Sequence, residues 1–211
     1  MLQQDRLEPL IGAIVADSVL HPRFVNTLSF LEYVGFRKIV KSQRAETLSG
    51  RVLSHAVEEG RHALALKKLA IRLGGAEFDA YAPETLICGE EAERYFQDLD
   101  EACDEAFAGG PEAERARLAY YAVSWLVERR ALRVYGIYKK ALCDAPIIDK
   151  LDGMLAEEAA HLSDVESSLF SGDTGFAGKV DQLTALETAL YERFVDVLSD
   201  HLARREAAVS V

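Results

Sequence analysis

The sequence predicts an all-α protein, an antiparallel four-helix bundle with one long crossover between its second and third helices and an additional C-terminal helix. Only five prolines occur in 211 residues, and long segments are rich in Ala, Leu, Glu and Arg, which favour helix. Apolar residues recur in steps of three and four, which is typical of helices that bury one face. We expect a single domain over residues 1–211.

Breaks in this periodicity give the helix limits. The pair His21-Pro22 separates the first helix from the second, Gly74-Gly75 supplies a C-terminal cap, and residues 171–175 form a turn. The predicted helices span about 6–20, 22–42, 45–73, 90–107, 112–142, 146–170 and 179–205.

The lengths of the connections predict the topology. Short links follow the helices at 22–42 and 112–142, so each of these forms an antiparallel hairpin with the next helix. Residues 74–111 separate the two hairpins and are long enough to cross the length of a bundle. The predicted bundle therefore covers about 22–170, and the helix at 179–205 is appended to it.

Composition narrows the class of partner and the compartment. The net charge of -11 argues against a nucleic-acid or anionic membrane surface, since either would need a basic patch. The N-terminus lacks a basic leader, and no run of 18 apolar residues occurs. The cysteines Cys88, Cys103 and Cys143 have no metal-like spacing and are interpreted as reduced thiols. We expect a cytoplasmic protein.

Two Glu-x-x-His pairs, each preceded by a single glutamate, are the candidate functional residues. The glutamate precedes its pair by 27 residues in the first half of the chain and by 30 in the second. On a helix the i, i+3 spacing places the carboxylate and the imidazole on one face. The residues concerned are Glu32, Glu59, His62, Glu128, Glu158 and His161.

These six side chains interrupt stripes that are otherwise apolar, which predicts that they bind metal. Burying a carboxylate without compensation costs several kcal/mol. Two divalent cations would balance the four carboxylates, and mixed carboxylate and imidazole ligands suit Fe, Mn or Zn. Six ligands shared by two ions leave open positions, which O2 or a substrate can occupy.

Three further polar residues are candidates for a supporting layer. Glu58 precedes Glu59 and Glu157 precedes Glu158, and a ligating histidine usually donates its other N–H to a carboxylate. We predict that Glu157 orients His62 and that Glu58 orients His161. His55 lies one turn before Glu59, and a proton relay or a hydrogen-bonded core histidine is favoured over a further ligand.

With these motifs the chain resembles the ferritin-like superfamily of di-iron carboxylate proteins, over about residues 22–170. The resemblance implies two iron ions, with manganese or a mixed Mn/Fe pair suited to the same ligands. It also implies that Glu32 and Glu128 are terminal ligands and that Glu59 and Glu158 bridge the ions. Storage ferritins have only one Glu-x-x-His, and rubrerythrins carry a Cys-rich module that is missing here, so the oxidase and oxygenase branch is the more similar one.

Three functions are consistent with such a site. The first is a nonheme di-iron or Mn/Fe oxidase or oxygenase that uses O2, a small apolar substrate and an electron donor. The second is a ferroxidase or peroxidase that handles iron or protects against oxidative stress. The third is a bundle that keeps a metal for stability without catalysis. A homodimer through the outer helix faces is also expected.

Overall fold

The structure is a computed structural model that describes residues 4–43, 45–46, 48–170 and 175–209. These residues form seven α-helices, three short 3-10 turns and no strand, so the all-α prediction is confirmed. The helices are α1 (Gln4–Ala16), α2 (Leu20–Ser42), α3 (Gly50–Gly74), α4 (Gly89–Ala106), α5 (Glu112–Ala141), α6 (Ala145–Phe170) and α7 (Val180–Val209). No described helix is long and apolar enough to cross a membrane.

The break between the first two helices lies earlier than predicted. Helix α1 ends at Ala16, and α2 begins at Leu20. The Asp17 carboxylate accepts hydrogen bonds from the backbone N–H groups of Val19 and Leu20, at 2.7 and 3.0 Å. Pro22 is tolerated in the first turn of α2 because its missing N–H would have no partner inside the helix there.

The ends of α3 follow capping chemistry. The helix begins at Gly50 instead of about residue 45, and the Ser49 hydroxyl accepts a hydrogen bond from the Val52 N–H. Positions 44 and 47 of the predicted start lie outside the described residues. The predicted cap at the other end is confirmed, since Gly75 has a φ of +107° and donates its N–H to the Ile71 carbonyl.

The chain divides into two compact units, one formed by Met1–Arg94 with Glu192–Val211 and the other by Tyr95–Tyr191. The division along the chain falls within α4 and within α7. The single domain and the four-helix crossover arrangement therefore stay predictions, and each unit is described by itself.

In the first unit, α2 and α3 form an antiparallel hairpin. The Ser29 hydroxyl donates to the Ala63 carbonyl at 2.7 Å, whereas Pro22, nearer the start of α2, approaches Gly74 at the end of α3. The contacts thus run in opposite directions along the two helices.

The connection that follows α3 is fixed to this hairpin by a buried lysine. Lys67 donates hydrogen bonds to the Asn26 side-chain oxygen at 2.5 Å and to the Phe78 and Ala80 carbonyls at 3.1 Å. Its ammonium group also lies 3.4 Å from the centre of the Tyr81 ring, a cation–π contact. Side chains of both helices therefore hold residues 76–81.

In the second unit, α5 and α6 form the corresponding antiparallel hairpin. The Trp125 indole N–H donates to Glu166 at 3.1 Å, and Lys139, further along α5, pairs with Asp152 near the start of α6. As in the first unit, the hairpin brings one glutamate-bearing helix beside a helix that carries Glu-x-x-His.

The buried face of α7 differs from the prediction. Helical periodicity in the sequence predicts a buried stripe of Leu183, Leu186, Leu190, Phe194 and Val197. Only Leu183 and Leu190 are buried, and the other three are half-buried. The buried positions are instead Leu183, Glu187, Leu190, Tyr191, Val195, Leu198 and Leu202. The buried face differs from the predicted one because Glu187 pairs with the guanidinium of Arg130 on α5. This partner lets a carboxylate occupy a core position.

Candidate metal centre

The first unit contains a buried group of two glutamates and two histidines, which we call the first cluster. Helix α2 contributes Glu32, and α3 contributes His55, Glu59 and His62. The last three face one side of α3 because their spacing of four and three residues follows the helical repeat. One ligand atom from each of Glu32, Glu59 and His62 lies within 4.8 Å of the others.

The second unit contains a group of the same chemistry, the second cluster. Helix α5 contributes Glu128, and α6 contributes Glu158 and His161. Glu128 is 3% exposed and Glu158 is 1% exposed, so both carboxylates are removed from water. The structure thus brings together, within each unit, the residues that the sequence predicts as ligands from that half of the chain.

Three distances between imidazole nitrogens and carboxylate oxygens in these clusters are longer than hydrogen bonds. His62 Nδ1 lies 4.0 Å from a Glu32 oxygen, and His161 Nδ1 lies 3.6 Å from Glu128 and 3.5 Å from Glu158. Good N–H···O bonds measure 2.7–3.2 Å. Two ligand atoms about 2.1 Å from one tetrahedrally coordinated ion lie about 3.4 Å apart. The spacing of these atoms therefore suits a shared cation better than direct hydrogen bonds.

His55 differs from the other two histidines. Its Nε2 lies 3.0 Å from Glu59 Oε1, which is a normal hydrogen-bond length, and both side chains are buried. The imidazole therefore holds one oxygen of Glu59 in place, as a supporting residue would. This contact matches the reading of His55 as a hydrogen-bonded core histidine.

Gly35 is a neighbour of the first cluster that sequence reasoning missed. A Cβ atom at this position would lie 3.6 Å from Glu59 Oε2, so the backbone of α2 passes close to the carboxylate. Gly35 comes three residues after Glu32 and therefore lies on the same side of α2. That spacing was the only available signal, and a glycine in a helix gives no chemical cue.

The predicted supporting glutamates are only half-buried. Glu58 and Glu157 both have intermediate exposure, so neither lies in open solvent. Glu58 accepts a hydrogen bond from the Ser54 hydroxyl at 3.0 Å. The predicted pairs of Glu58 with His161 and of Glu157 with His62 join residues of different units, and they stay predictions.

A fifth buried carboxylate, outside the two clusters, shows how an acid is stabilised by protein groups. Glu187 is 5% exposed and accepts two hydrogen bonds from Arg130, both at 2.7 Å, and one from the Tyr95 hydroxyl at 2.8 Å. The same surroundings, desolvation first and then the charge of Glu187, raise the pKa of Tyr95 well above its ordinary value. In the two clusters, the groups that lie 3.5–4.0 Å from the carboxylates are imidazoles, which are metal ligands when neutral.

The donor set of each cluster therefore fits a transition-metal ion. Carboxylate oxygens and imidazole nitrogens together suit iron, manganese or zinc better than calcium or magnesium. A cation would also offset the cost of burying the carboxylates. No protein-family model, no curated protein and no solved structure matches this chain.

Proposed function

We propose that this chain is a nonheme di-iron or Mn/Fe oxidase or oxygenase of ferritin-like architecture, in which the two clusters together hold two metal ions. One observation carries the proposal: each unit buries a glutamate beside a Glu-x-x-His pair, with the imidazole Nδ1 at 3.5–4.0 Å from carboxylate oxygens. Such a repeated ligand set is that of dimetal carboxylate bundles. The proposed compartment is the cytoplasm.

The ligands are assigned by cluster. Glu32, Glu59 and His62 would hold metal in the first cluster, and Glu128, Glu158 and His161 would hold it in the second. When bound, the ions supply the redox chemistry by which O2 oxidises a small apolar substrate, with electrons from a separate donor.

The chain's own residues prepare the site. The His55 hydrogen bond fixes Glu59 Oε1, and the imidazole can accept or return a proton at that oxygen. Buried apolar side chains one turn away on the same helices, Leu28, Val52 and Leu66, exclude water. Exclusion of water strengthens the attraction between carboxylates and a cation because the local dielectric is low.

The test is metal analysis of protein from iron-replete cells, followed by O2 uptake on addition of Fe(II). We expect about two metal ions per chain and rapid O2 consumption, as for other di-iron carboxylate bundles. The Glu59→Gln variant should lose both the bound metal and the O2 consumption. The double variant Glu187→Leu with Arg130→Met is the matched control, since Glu187 is equally buried but pairs with Arg130. It should keep the metal once circular dichroism confirms a folded chain.

Other outcomes identify the competing functions. Repeated oxidation of Fe(II) with release of Fe(III) and no organic substrate would indicate a ferroxidase. One tightly bound zinc ion, without O2 chemistry, would indicate a structural metal site and would contradict the proposal. Complete absence of metal would contradict it as well.

A further inference from the structure

Helix α2 leaves a gap beside the first cluster at Gly35. A Cβ atom at this position would lie 3.6 Å from Glu59 Oε2, and no other atom of the described residues outside its own stretch of α2 would lie within 4 Å. Gly35 is half-buried, whereas Glu59 is only 7% exposed. Gly35 is therefore a position where solvent comes close to a carboxylate oxygen that is otherwise buried.

The packing of α2 does not require a glycine at this position. Gly35 lies inside the helix and has no positive φ, in contrast to Gly75. At Gly74 a Cβ atom would lie 2.2 Å from the Phe78 ring, so a larger residue is excluded there. The 3.6 Å at Gly35 is an ordinary van der Waals distance, so alanine would fit, and alanine favours a helix more than glycine does. What the glycine provides is therefore free space beside Glu59.

The next contact between the two helices keeps this gap from closing. Phe36 packs against Gly60, where a Cβ atom would lie 3.5 Å from the nearest ring carbon. Because Gly60 has no side chain, the ring lies against the backbone of α3. Phe36 directly follows Gly35, and Gly60 directly follows Glu59. An aromatic ring thus separates the backbones of α2 and α3 one residue away from the gap.

The surroundings of the gap determine which molecules can enter it. The atom that faces it is a carboxylate oxygen, which repels anions. No side-chain donor of the described residues lies within 4 Å of the Cβ position to bind a larger polar solute. The space accepts an added methyl group, so it suits a molecule of very few atoms. A small neutral molecule is therefore favoured over an anion or an organic substrate.

We propose that the gap beside Gly35 is the place where a neutral diatomic molecule, O2 in the proposed function, reaches the first cluster. Gly35 is then a specificity-determining residue, since it admits a diatomic molecule to Glu59 and excludes larger ones. The identity of the ligand rests on the proposed function. The gap itself is a property of the α2–α3 hairpin.

The first test measures the binding of nitric oxide, a neutral diatomic probe, to the Fe(II)-loaded chain in the absence of O2, by visible absorption. Gly35→Ala should bind as much iron as the wild type, because the added methyl makes only an ordinary contact with Glu59. It should raise the Kd for nitric oxide about tenfold, because the methyl fills the space that the probe needs. It should also raise the melting temperature by about 2 °C, because alanine favours helix. A purely structural role of Gly35 would not combine greater stability with weaker binding.

Gly12→Ala is the matched control for this test. Gly12 is also a half-buried glycine inside a helix, with nothing within 4 Å of its Cβ position. Helix α1 carries none of the candidate ligands. The same added methyl should raise the melting temperature and leave the affinity for nitric oxide unchanged.

The second test needs no bound iron. O2 is paramagnetic and speeds the relaxation of the protons that it approaches, so NMR under O2 pressure measures its access to the iron-free chain. The side-chain methylene protons of Glu59 should relax faster under O2 in the wild type than in Gly35→Ala. Gly12→Ala should behave as the wild type does.

The outcomes separate this inference from the proposed function. A chain that binds no metal, yet shows O2-dependent relaxation at Glu59 that Gly35→Ala removes, would contradict the proposed function and support the access route. Equal nitric oxide affinity and equal relaxation in the wild type and Gly35→Ala would overturn the inference and leave the metal proposal intact. Loss of iron from Gly35→Ala would show that the ion itself needs the space, and would overturn the inference as well.

Discussion

At the scale of single residues, two histidines on the same stripe of α3 have different surroundings. His55 is within hydrogen-bonding distance of Glu59, whereas His62 lies 4.0 Å from Glu32, which leaves room between the two atoms. The first distance describes a group that orients a ligand. The second is a distance that the proposed metal site requires between two ligands of one ion.

We therefore predict that His62→Ala and His55→Ala reduce metal binding in different ways. His62→Ala should lose one ion per chain even at saturating metal, because a ligand is missing. His55→Ala should still take up two ions, with affinity about 10- to 100-fold lower, as is usual when a supporting hydrogen bond is removed. Competition with a chromogenic chelator measures both quantities.

A conservative variant separates orientation from packing at the same position. In His55→Gln the side-chain amide can still donate to Glu59, so most of the affinity should return. Loss of an ion in His55→Ala, or no rescue in His55→Gln, would place His55 among the ligands instead.

At the scale of elements, the sequence predicted most helices well, and the errors have specific causes. Helix α4 was expected at about 90–107 and spans Gly89–Ala106. The start of α2 was misplaced because the break was assigned to His21-Pro22, although the Asp17 carboxylate caps the helix upstream of it. The face of α7 was misjudged because periodicity assigns every buried position to an apolar residue, and Glu187 is an exception.

The Asp17 cap predicts a pH-dependent contribution to stability. Burial by itself would raise the pKa of Asp17, but the N–H groups of Val19 and Leu20 and the Arg205 guanidinium lower it below 3.8. The folded state thus binds this proton less readily than the unfolded state. The stabilisation is present above pH 3.8 and is lost as the pH falls through the folded pKa.

Asp17→Ala should therefore lower the free energy of unfolding by about 1 kcal/mol at neutral pH. The difference from wild type should shrink as the pH is lowered below 3.8, because the wild-type carboxyl becomes protonated. Urea unfolding at several pH values measures it. Asp17→Asn, which keeps an acceptor for the cap, should lose less at neutral pH and should show no such pH dependence.

For the ion pair between α5 and α7, we predict that replacing one partner lowers the free energy of unfolding much more than replacing both. Glu187→Gln leaves the Arg130 guanidinium buried without its counter-charge and should cost about 3–5 kcal/mol in free energy of unfolding. Replacing both residues by apolar ones, Glu187→Leu with Arg130→Met, should cost much less. Equal losses in the single and double variants, measured in urea, would show that packing and not charge dominates at this contact.

At the scale of the whole molecule, the burial of the candidate ligands could be predicted, but the contacts around them could not. The six glutamates and histidines can be recognised in the sequence because they are polar residues inside apolar stripes, and all are buried. Gly35 beside Glu59 and the Lys67 contacts with Phe78 and Ala80 depend on which backbone atoms meet in three dimensions. The spacing of residues in the sequence does not predict such contacts, because they involve backbone atoms that every residue has.

Metal binding should stabilise the folded chain as a whole. A ligand at 1,000 times its Kd adds about 4 kcal/mol to the free energy of unfolding when it binds only the folded state. We expect a chelator-treated sample to melt several degrees below one resupplied with Fe(II) under anaerobic conditions. Differential scanning calorimetry provides the measurement, and His62→Ala should show a smaller rise. Identical melting of treated and resupplied wild-type protein would argue against buried metal.

The Lys67 contacts have a consequence for anyone who wishes to isolate the α2–α3 hairpin as a minimal metal-binding peptide. A peptide cut at the end of α3 would remove the Phe78 and Ala80 carbonyls and leave the ammonium group with Asn26 alone. The Thr27 hydroxyl, which accepts from the Ile87 N–H, would lose a contact in the same cut. A hairpin peptide that keeps these contacts therefore extends to Ile87, well past the last residue of its second helix.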